Sequence, residues 1–238
     1  MSKLQLSASI VLYHNKEAQV LKVIKSFLNT NLEVKLYLID NSLNNDLKQL
    51  EKFDERIEYI FNNANLGYGS AHNIAMKKSI EDKTPYHIVL NPDIYFDSDV
   101  LEKLYNYMKK NRDIGNIIPQ VLYPDGEIQY LTKLLPTPVD LIFRRFIPFK
   151  SWKEKRNERY ELRFTGYKNI ANIPSLSGCF MFLRTSVLKD VGLFDENIFM
   201  YLEDTDAHNA PSGHLCRLRS DSLRVDIFYG VILSQVSE

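Results

Sequence analysis

Four times in the first 111 residues, a short run of strand formers gives way to a stretch with helical spacing. "SASIVLY" (7–13) precedes "NKEAQVLKVIKSFLN" (15–29), where Ala18, Leu21, Ile24, Phe27 and Leu28 recur on one helix face. "VKLYLID" (34–40) precedes a helix near 44–54, and "IEYIF" (57–61) precedes "NNANLGYGSAHNIAMKKSI" (62–80). "HIVLNPD" (87–93) precedes "SDVLEKLYNYMKKN" (98–111). Such alternation predicts an α/β fold, with a mostly parallel sheet covered by helices on both faces. Asn15 is placed to cap the first helix, and Glu17 suits its positive end.

In a sheet of this kind, ligands bind beyond the carboxyl ends of the strands. Here those ends carry His14 and Asn15, Asp40, and Asn91 with Asp93. Three separate strands therefore offer polar groups to one edge. Each motif also has a plainer reading. Asp40 can accept hydrogen bonds from a ribose or base, or can simply form a turn. Gly67 and Gly69 in "NLGYGSAHN" can admit a phosphate to a helix start, or can make a turn into that helix. They lack the remainder of a dinucleotide or P-loop motif. Asp93 in "LNPDIYFD" is a good oxygen ligand for Mg²⁺ or Mn²⁺, yet Asn, Pro and Asp all favour turns. Asp97 and Asp99 suit the cap of the next helix. Glu203 and Asp204 in "FMYLEDTD" sit beside aromatics, where carboxylates serve as general bases, or they form the first turn of a solvated helix with Asp206.

The second half changes character. "IIPQVLYPDGEIQYL" (117–131) reads as a hairpin with Pro124, Asp125 and Gly126 in its turn. Residues 131–170 hold ten Lys or Arg against four acidic residues, with the single Trp152. "SLSGCFMFL" (175–183) reads as a strand, and "RTSVLKDVG" as a short helix ending at Gly192.

Composition excludes several classes. The formal net charge is zero, so no nucleic-acid partner is expected. Cys179 and Cys216 make neither a disulfide framework nor a zinc site and point to a reducing compartment. "MSKLQLSASIVLYHN" reads as a first strand rather than a signal peptide. No stretch approaches the roughly 20 apolar residues that a membrane-spanning helix needs.

Taken in order, "SIVLYHN", "LIDNS", "NLGYGSAHN", "LNPD", "SGCFMFLR" and "VGLFDENIFMYLED" resemble the family 2 glycosyltransferases of the GT-A fold, particularly their rhamnosyltransferase-like branch. The resemblance runs from about Ser7 to Asp206. It implies a single GT-A-like domain over 1–206, with a nucleotide-sugar half (1–111) and an acceptor and catalytic half (112–206). The implied fold is a Rossmann-like, mostly parallel sheet with a smaller acceptor-side region. The implied reaction is inverting transfer of a sugar, with rhamnose the branch-level expectation, from a nucleoside-diphosphate donor. The acceptor would be a hydroxyl of a saccharide or lipid-linked molecule in cell-surface polysaccharide synthesis. The resemblance assigns the base to Asp204, with Glu203 as its helper, and the metal (Mg²⁺ or Mn²⁺) to Asp93. Asn91 stands where many relatives carry another aspartate. Asp40 matches the residue that holds the nucleobase. Tyr13, Asn15 and Glu17 match the first nucleotide loop, and Gly67, Ser70 and Asn73 the donor wall. Segment 131–170 falls where relatives place an acceptor-binding insert. Its plainer reading is a solvated loop; its charge and Trp152 otherwise suit a surface that meets a lipid-linked diphosphate acceptor or the anionic inner face of the membrane, peripheral to a cytoplasmic protein.

Two other classes remain. After Asp206 the sequence departs from the family pattern: nineteen lysines precede residue 207 and none follows. Pro211 and Gly213 oppose the helix expected there, and the spacing of His208 and His214 argues for no site. Residues 207–238 thus read as an atypical, frameshifted or truncated tail, which would leave a sugar-nucleotide-binding protein impaired in catalysis. A sugar-1-phosphate nucleotidyltransferase would want a Gly-rich basic loop after the first strand, and "YHNKEAQ" has no glycine.

Overall fold

The structure is a computed structural model that describes residues 3–133, 158, 163, 171–172, 175–198 and 224–235. The first half runs β1 (Leu6–Leu12), α1 (Glu17–Leu28), β2 (Val34–Asp40), a 3₁₀ helix (Lys48–Phe53), β3 (Ile57–Phe61), α2 (Tyr68–Glu81), β4 (Tyr86–Leu90), β5 (Ile94–Phe96) and α3 (Val100–Lys110). The second half adds β6 (Ile114–Leu122), β7 (Thr132–Lys133), β8 (Ala171–Asn172), β9 (Ser175–Leu176), β10 (Phe180–Arg184), α4 (Thr185–Val191) and β11 (Arg224–Gln235).

The main sheet has the order β3-β2-β1-β4-β10-β6-β11-β5, with β8 beside β11. Strands β1 to β4 are mutually parallel. Strand β10 inserts antiparallel between β4 and β6. The sheet is therefore mixed but mostly parallel, as expected. Several local expectations are corrected. The helix near 44–54 is a 3₁₀ helix. The 117–131 hairpin has its turn, with Gly126 at φ 89°, but its return leg is a single bridge, Leu122 to Ile128. Asp99 occupies the N-cap of α3 without a side-chain cap bond and instead pairs with Lys103 at 2.6 Å. The described part of the tail, β11, joins the sheet parallel to β6.

Two faces follow from the period-two alternation of β1. Leu6, Ala8, Ile10 and Leu12 cluster with Val20, Val23, Ile24 and Phe27 of α1. Ser7 and Ser9 face α2. Ser7 Oγ lies 2.7 Å from Ser79 Oγ and 2.9 Å from His87 Nδ1, while Ser9 Oγ joins His87 Nε2 (2.9 Å) to His72 Nδ1 (2.7 Å). Burial holds both imidazoles uncharged. It lowers His87 to about 3, and burial followed by the neighbouring His87 takes His72 well below the ordinary range. Tyr37 and Ile39 of β2 complete this face against Ala71 and Ala75 of α2.

Arg184, the last residue of β10, closes the far end. Its Nε donates to Ile114 O at 2.9 Å, and its Nη2 donates to Met108 O at 2.7 Å and Asn111 O at 2.9 Å. The Met108 and Asn111 carbonyls close α3, where a helix leaves acceptors without internal partners, and Ile114 opens β6. Arg184→Ala is expected to destabilise the fold by about 2–4 kcal/mol, because charged hydrogen bonds are lost and the carbonyls are left bare. Arg184→Lys should recover only part, since an ammonium lacks the planar fork. Denaturant titration of both variants checks this; equal losses would deny the fork its role.

Candidate active site

The strand register gathers the predicted edge. Leu12 pairs with Asp40 and Asp40 with Phe61, so the ends of β1, β2 and β3 lie in one row. Leu90 of β4 pairs with Ile10, and antiparallel β10 begins opposite it at Phe180. The order reverses at β1, with β2 on one side and β4 on the other. That is the switch point at which open α/β sheets form a crevice. Tyr13–Asn15 and Asn91–Asp93 flank it.

The β1 end is tightly turned. His14 adopts φ 55°, a left-handed conformation uncommon outside glycine. Its N–H donates to Ser42 Oγ at 3.0 Å. Asn15 does not cap α1 as expected. Its Oδ1 turns back to accept the Tyr13 N–H at 2.8 Å, and Lys16 becomes an N-cap without a side-chain bond. A local two-residue ring outcompetes the cap because Asn bonds readily to nearby backbone. Tyr13 is half-exposed at the rim. Glu17 lies further out, accepting from Gln49 Nε2 at 3.1 Å.

Asp40 is buried. One carboxylate oxygen accepts the Ser42 N–H at 2.8 Å and the other the Tyr59 hydroxyl at 2.5 Å. Burial and Asp40 together push the Tyr59 hydroxyl well above its ordinary range, so it stays a donor. Beside it, Asn41 was not anticipated as a site residue. Its N–H donates to Leu12 O (2.9 Å), its Nδ2 to Gly67 O (3.1 Å), and its Oδ1 accepts from Asn62 Nδ2 (2.8 Å). Asn41 thus ties the loop after β2 to the end of β1 through its backbone, and to both ends of the β3–α2 loop through its side chain. Its position directly after a strand-ending acid was the available signal.

Gly67 occupies the N-cap of α2 with φ 82°, which glycine adopts without strain. Gly69 has a different role from phosphate approach: a Cβ there would lie 2.9 Å from Phe194 Cβ. Asn73, expected on the donor wall, is buried and brackets the same residue. Its Nδ2 donates to Phe194 O at 2.9 Å and its Oδ1 accepts the Phe194 N–H at 3.1 Å. Ser70 Oγ reaches Glu196 O at 3.4 Å, and Lys77 pairs with Glu196 at 2.9 Å. This side of α2 is therefore a rail for Phe194–Glu196. Gly69→Ala is expected to cost about 1–3 kcal/mol through overpacking. A thermal melt checks it; an unchanged transition would mean that Phe194 yields freely.

Asn91 N–H donates to Cys179 O at 2.9 Å, and Asn91 O accepts from Ile94 N–H at 3.3 Å. Asp93 sits half-buried in the turn so formed. Among the described residues, no three His, Cys, Asp or Glu side chains converge into a metal cage. One fixed carboxylate fits a divalent ion whose shell is otherwise filled by phosphate oxygens and water. Glu203 and Asp204 lie outside the described residues, as do Asp206 and segment 134–157.

The glycosyl transferase family 2 sequence profile matches residues 9–192, well over half of the chain. The chain belongs to glycosyl transferase family 2. This family 2 chain is 25% identical over 201 residues to the low-salt glycan biosynthesis hexosyltransferase Agl10 of Haloferax volcanii, covering 83% of this chain and 59% of that one. It is 26% identical over 194 residues to the N-acetylglucosaminyl-diphospho-decaprenol L-rhamnosyltransferase of Mycobacterium tuberculosis, covering 75% and 61%. Rhamnosyltransferase WbbL of Escherichia coli is 25% identical over 204 residues, covering 83% and 73%. The chain thus spans about 60% of the length of the first two relatives.

Solved structures give the fold. Residues 1–349 of TarS from S. aureus superpose with a TM-score of 0.64 at 15% identity, over 98% of this chain and 60% of that one. GalNAc-T7 with UDP, GalNAc and Mn²⁺ gives 0.67 at 13% identity, over 99% and 43%. Both are GT-A glycosyltransferases, and the family 2 chain has that fold. Its match ends at residue 192, just before the segment bracketed by Asn73.

Proposed function

We propose that this chain is an inverting glycosyltransferase of surface-glycan synthesis. It would take a sugar from a nucleoside-diphosphate donor and pass it to a hydroxyl of a saccharide or lipid-linked acceptor. The observation that carries the reading is the convergence of Asp40, Tyr13–Asn15 and Asn91–Asp93 on one strand edge in a family 2 chain. Similarity to rhamnosyltransferases supports a rhamnosyl donor and, through the mycobacterial relative's name, a diphospho-polyprenol acceptor.

Each residue then has a chemical task. Asp40 and the Tyr13 loop hold the nucleoside, with Asn15 and Glu17 shaping that loop. Gly67 and Ser70 border the donor, and Asn73 acts behind them through Phe194. Asn91 and Asp93 face the diphosphate. A divalent cation, Mn²⁺ or Mg²⁺, would be held by Asp93 and would neutralise charge on the leaving diphosphate. Asp204 removes the acceptor hydroxyl proton as the new bond forms, and Glu203 places that hydroxyl. No helix among the described residues is long and apolar enough to cross a membrane. The basic, Trp-containing segment 131–170 would meet the anionic cytoplasmic membrane face; flotation with anionic vesicles tests it, and no salt-sensitive binding would refute it.

The deciding experiment is a screen of nucleotide sugars by binding, with and without Mn²⁺, followed by transfer to polyprenyl-diphosphate saccharides. Binding of one nucleotide class with turnover is the expected result. Binding without turnover would favour a sugar-nucleotide-binding protein, and no binding would overturn the proposal.

A further inference from the structure

Tyr68 opens α2, yet its side chain reaches away from the helix to two other segments. Its hydroxyl lies 2.5 Å from Gly178 O and 3.4 Å from Asn91 Oδ1. Gly178 belongs to the turn that leads into β10, and Asn91 opens the turn that carries Asp93. These turns are also joined directly, by Asn91 N–H to Cys179 O. The fit around the hydroxyl is close: a Cβ on Gly178 would stand 3.3 Å from it.

The other side of the phenol ring rests on buried, uncharged groups. His72 meets the ring edge-on at 4.4 Å between centroids, and Phe194 lies at 6.2 Å. His72 is wholly buried and held by Ser9. A residue needed only to fill this space would be Phe. The hydroxyl donates its one proton to Gly178 O and lies 3.4 Å from Asn91 Oδ1, so it touches both turns that frame the Asp93 edge.

We propose that Tyr68 is a positioning residue for the donor edge. Its hydroxyl fixes the Asn91–Asp93 turn against the entry to β10 and so sets where the Asp93 carboxylate stands when a cation and a diphosphate bind. This rests on reading that edge as the donor site. Removing the hydroxyl leaves the ring packing and the Asn91 N–H to Cys179 O bond intact but removes the side-chain brace that holds the two turns in place. A supporting group behind a metal ligand typically matters about 10-fold or more in metal affinity.

The test uses the full chain and two variants, Tyr68→Phe and Gly178→Ala, which disturb the same contact from opposite sides. Hydrogen–deuterium exchange without nucleotide should rise in peptides covering 88–96 and 176–182, and stay unchanged over 34–40. Binding of UDP and dTDP is then titrated with Mn²⁺. The apparent Mn²⁺ affinity should weaken about 10-fold in both variants, while metal-free nucleotide affinity stays within about twofold. Unchanged exchange with unchanged Mn²⁺ dependence would overturn the role, as would an equal loss of binding with and without Mn²⁺. Failure of the wild-type chain to bind either nucleotide would instead remove the donor-site reading, and this role with it.

Discussion

Asp204→Asn is expected to cut the rate of sugar transfer by roughly two to four orders of magnitude while leaving donor binding intact. An amide has the size of the carboxylate but cannot take the proton that the acceptor hydroxyl must lose. Positioned general bases contribute about 10²–10⁴-fold. The loss belongs in kcat, because the proton moves only in the transition state. Glu203→Gln should act mainly through acceptor KM if that side chain places the hydroxyl. Single-turnover transfer beside donor titration separates these effects. A rate unchanged in Asp204→Asn would end its assignment as the base.

The second large effect is on stability. His72 and His87 are buried and uncharged, with folded-state affinities for protons below those of the unfolded chain. The unfolded chain therefore binds more protons as pH falls below about 6.5, and unfolding becomes easier. The contribution is fully present above pH 6.5 and is lost progressively towards about pH 3, the value to which burial takes His87. At pH 5, His87 alone accounts for about 2 kcal/mol relative to pH 7. That is a large share of the roughly 5–15 kcal/mol that holds most domains together. Carboxylates act lower. Asp54, held near 2 by Arg56, and Glu196, lowered by Lys77 and Asn73, lose their stabilising roles only once pH drops through about 4. Urea titrations at pH 7, 6 and 5 should show the histidine slope, and His87→Asn should flatten it. A slope that survives both His87→Asn and His72→Phe would place the acid sensitivity elsewhere.

The strands and helices of the first 111 residues were readable because each is a local pattern. Ile10 and Leu12, or Leu36 and Leu38, report burial by neighbours two residues apart. The edge residues were readable for the same reason: a polar group ending an apolar run marks a strand end. Pairings between distant segments were not. β5 is three residues long, and its partner β11 begins more than a hundred positions later. No window of sequence contains both. The insertion of β10 between β4 and β6 is similarly nonlocal. At the site, Asn73 and Gly69 looked like donor-facing residues of a glycine-rich stretch. Their actual partner, Phe194, lies more than 120 positions away. Asn15 illustrates a local failure, in which a turn and a helix cap compete for one side-chain oxygen and the turn wins.

The two loops joined by Asn41, after β2 and between β3 and α2, have a consequence for the thermodynamics of ligand capture. A loop that orders only on binding subtracts roughly 0.5–1.5 kcal/mol of affinity for each rotamer-rich side chain immobilised. Here the loop after β2 and the β3–α2 loop are restrained before any ligand arrives, by the backbone and side-chain bonds of the single buried Asn41. The entropy of ordering that cradle is already surrendered during folding. Donor association at this edge should therefore carry a small entropic penalty, with the half-exposed Tyr13 as the main group left to settle.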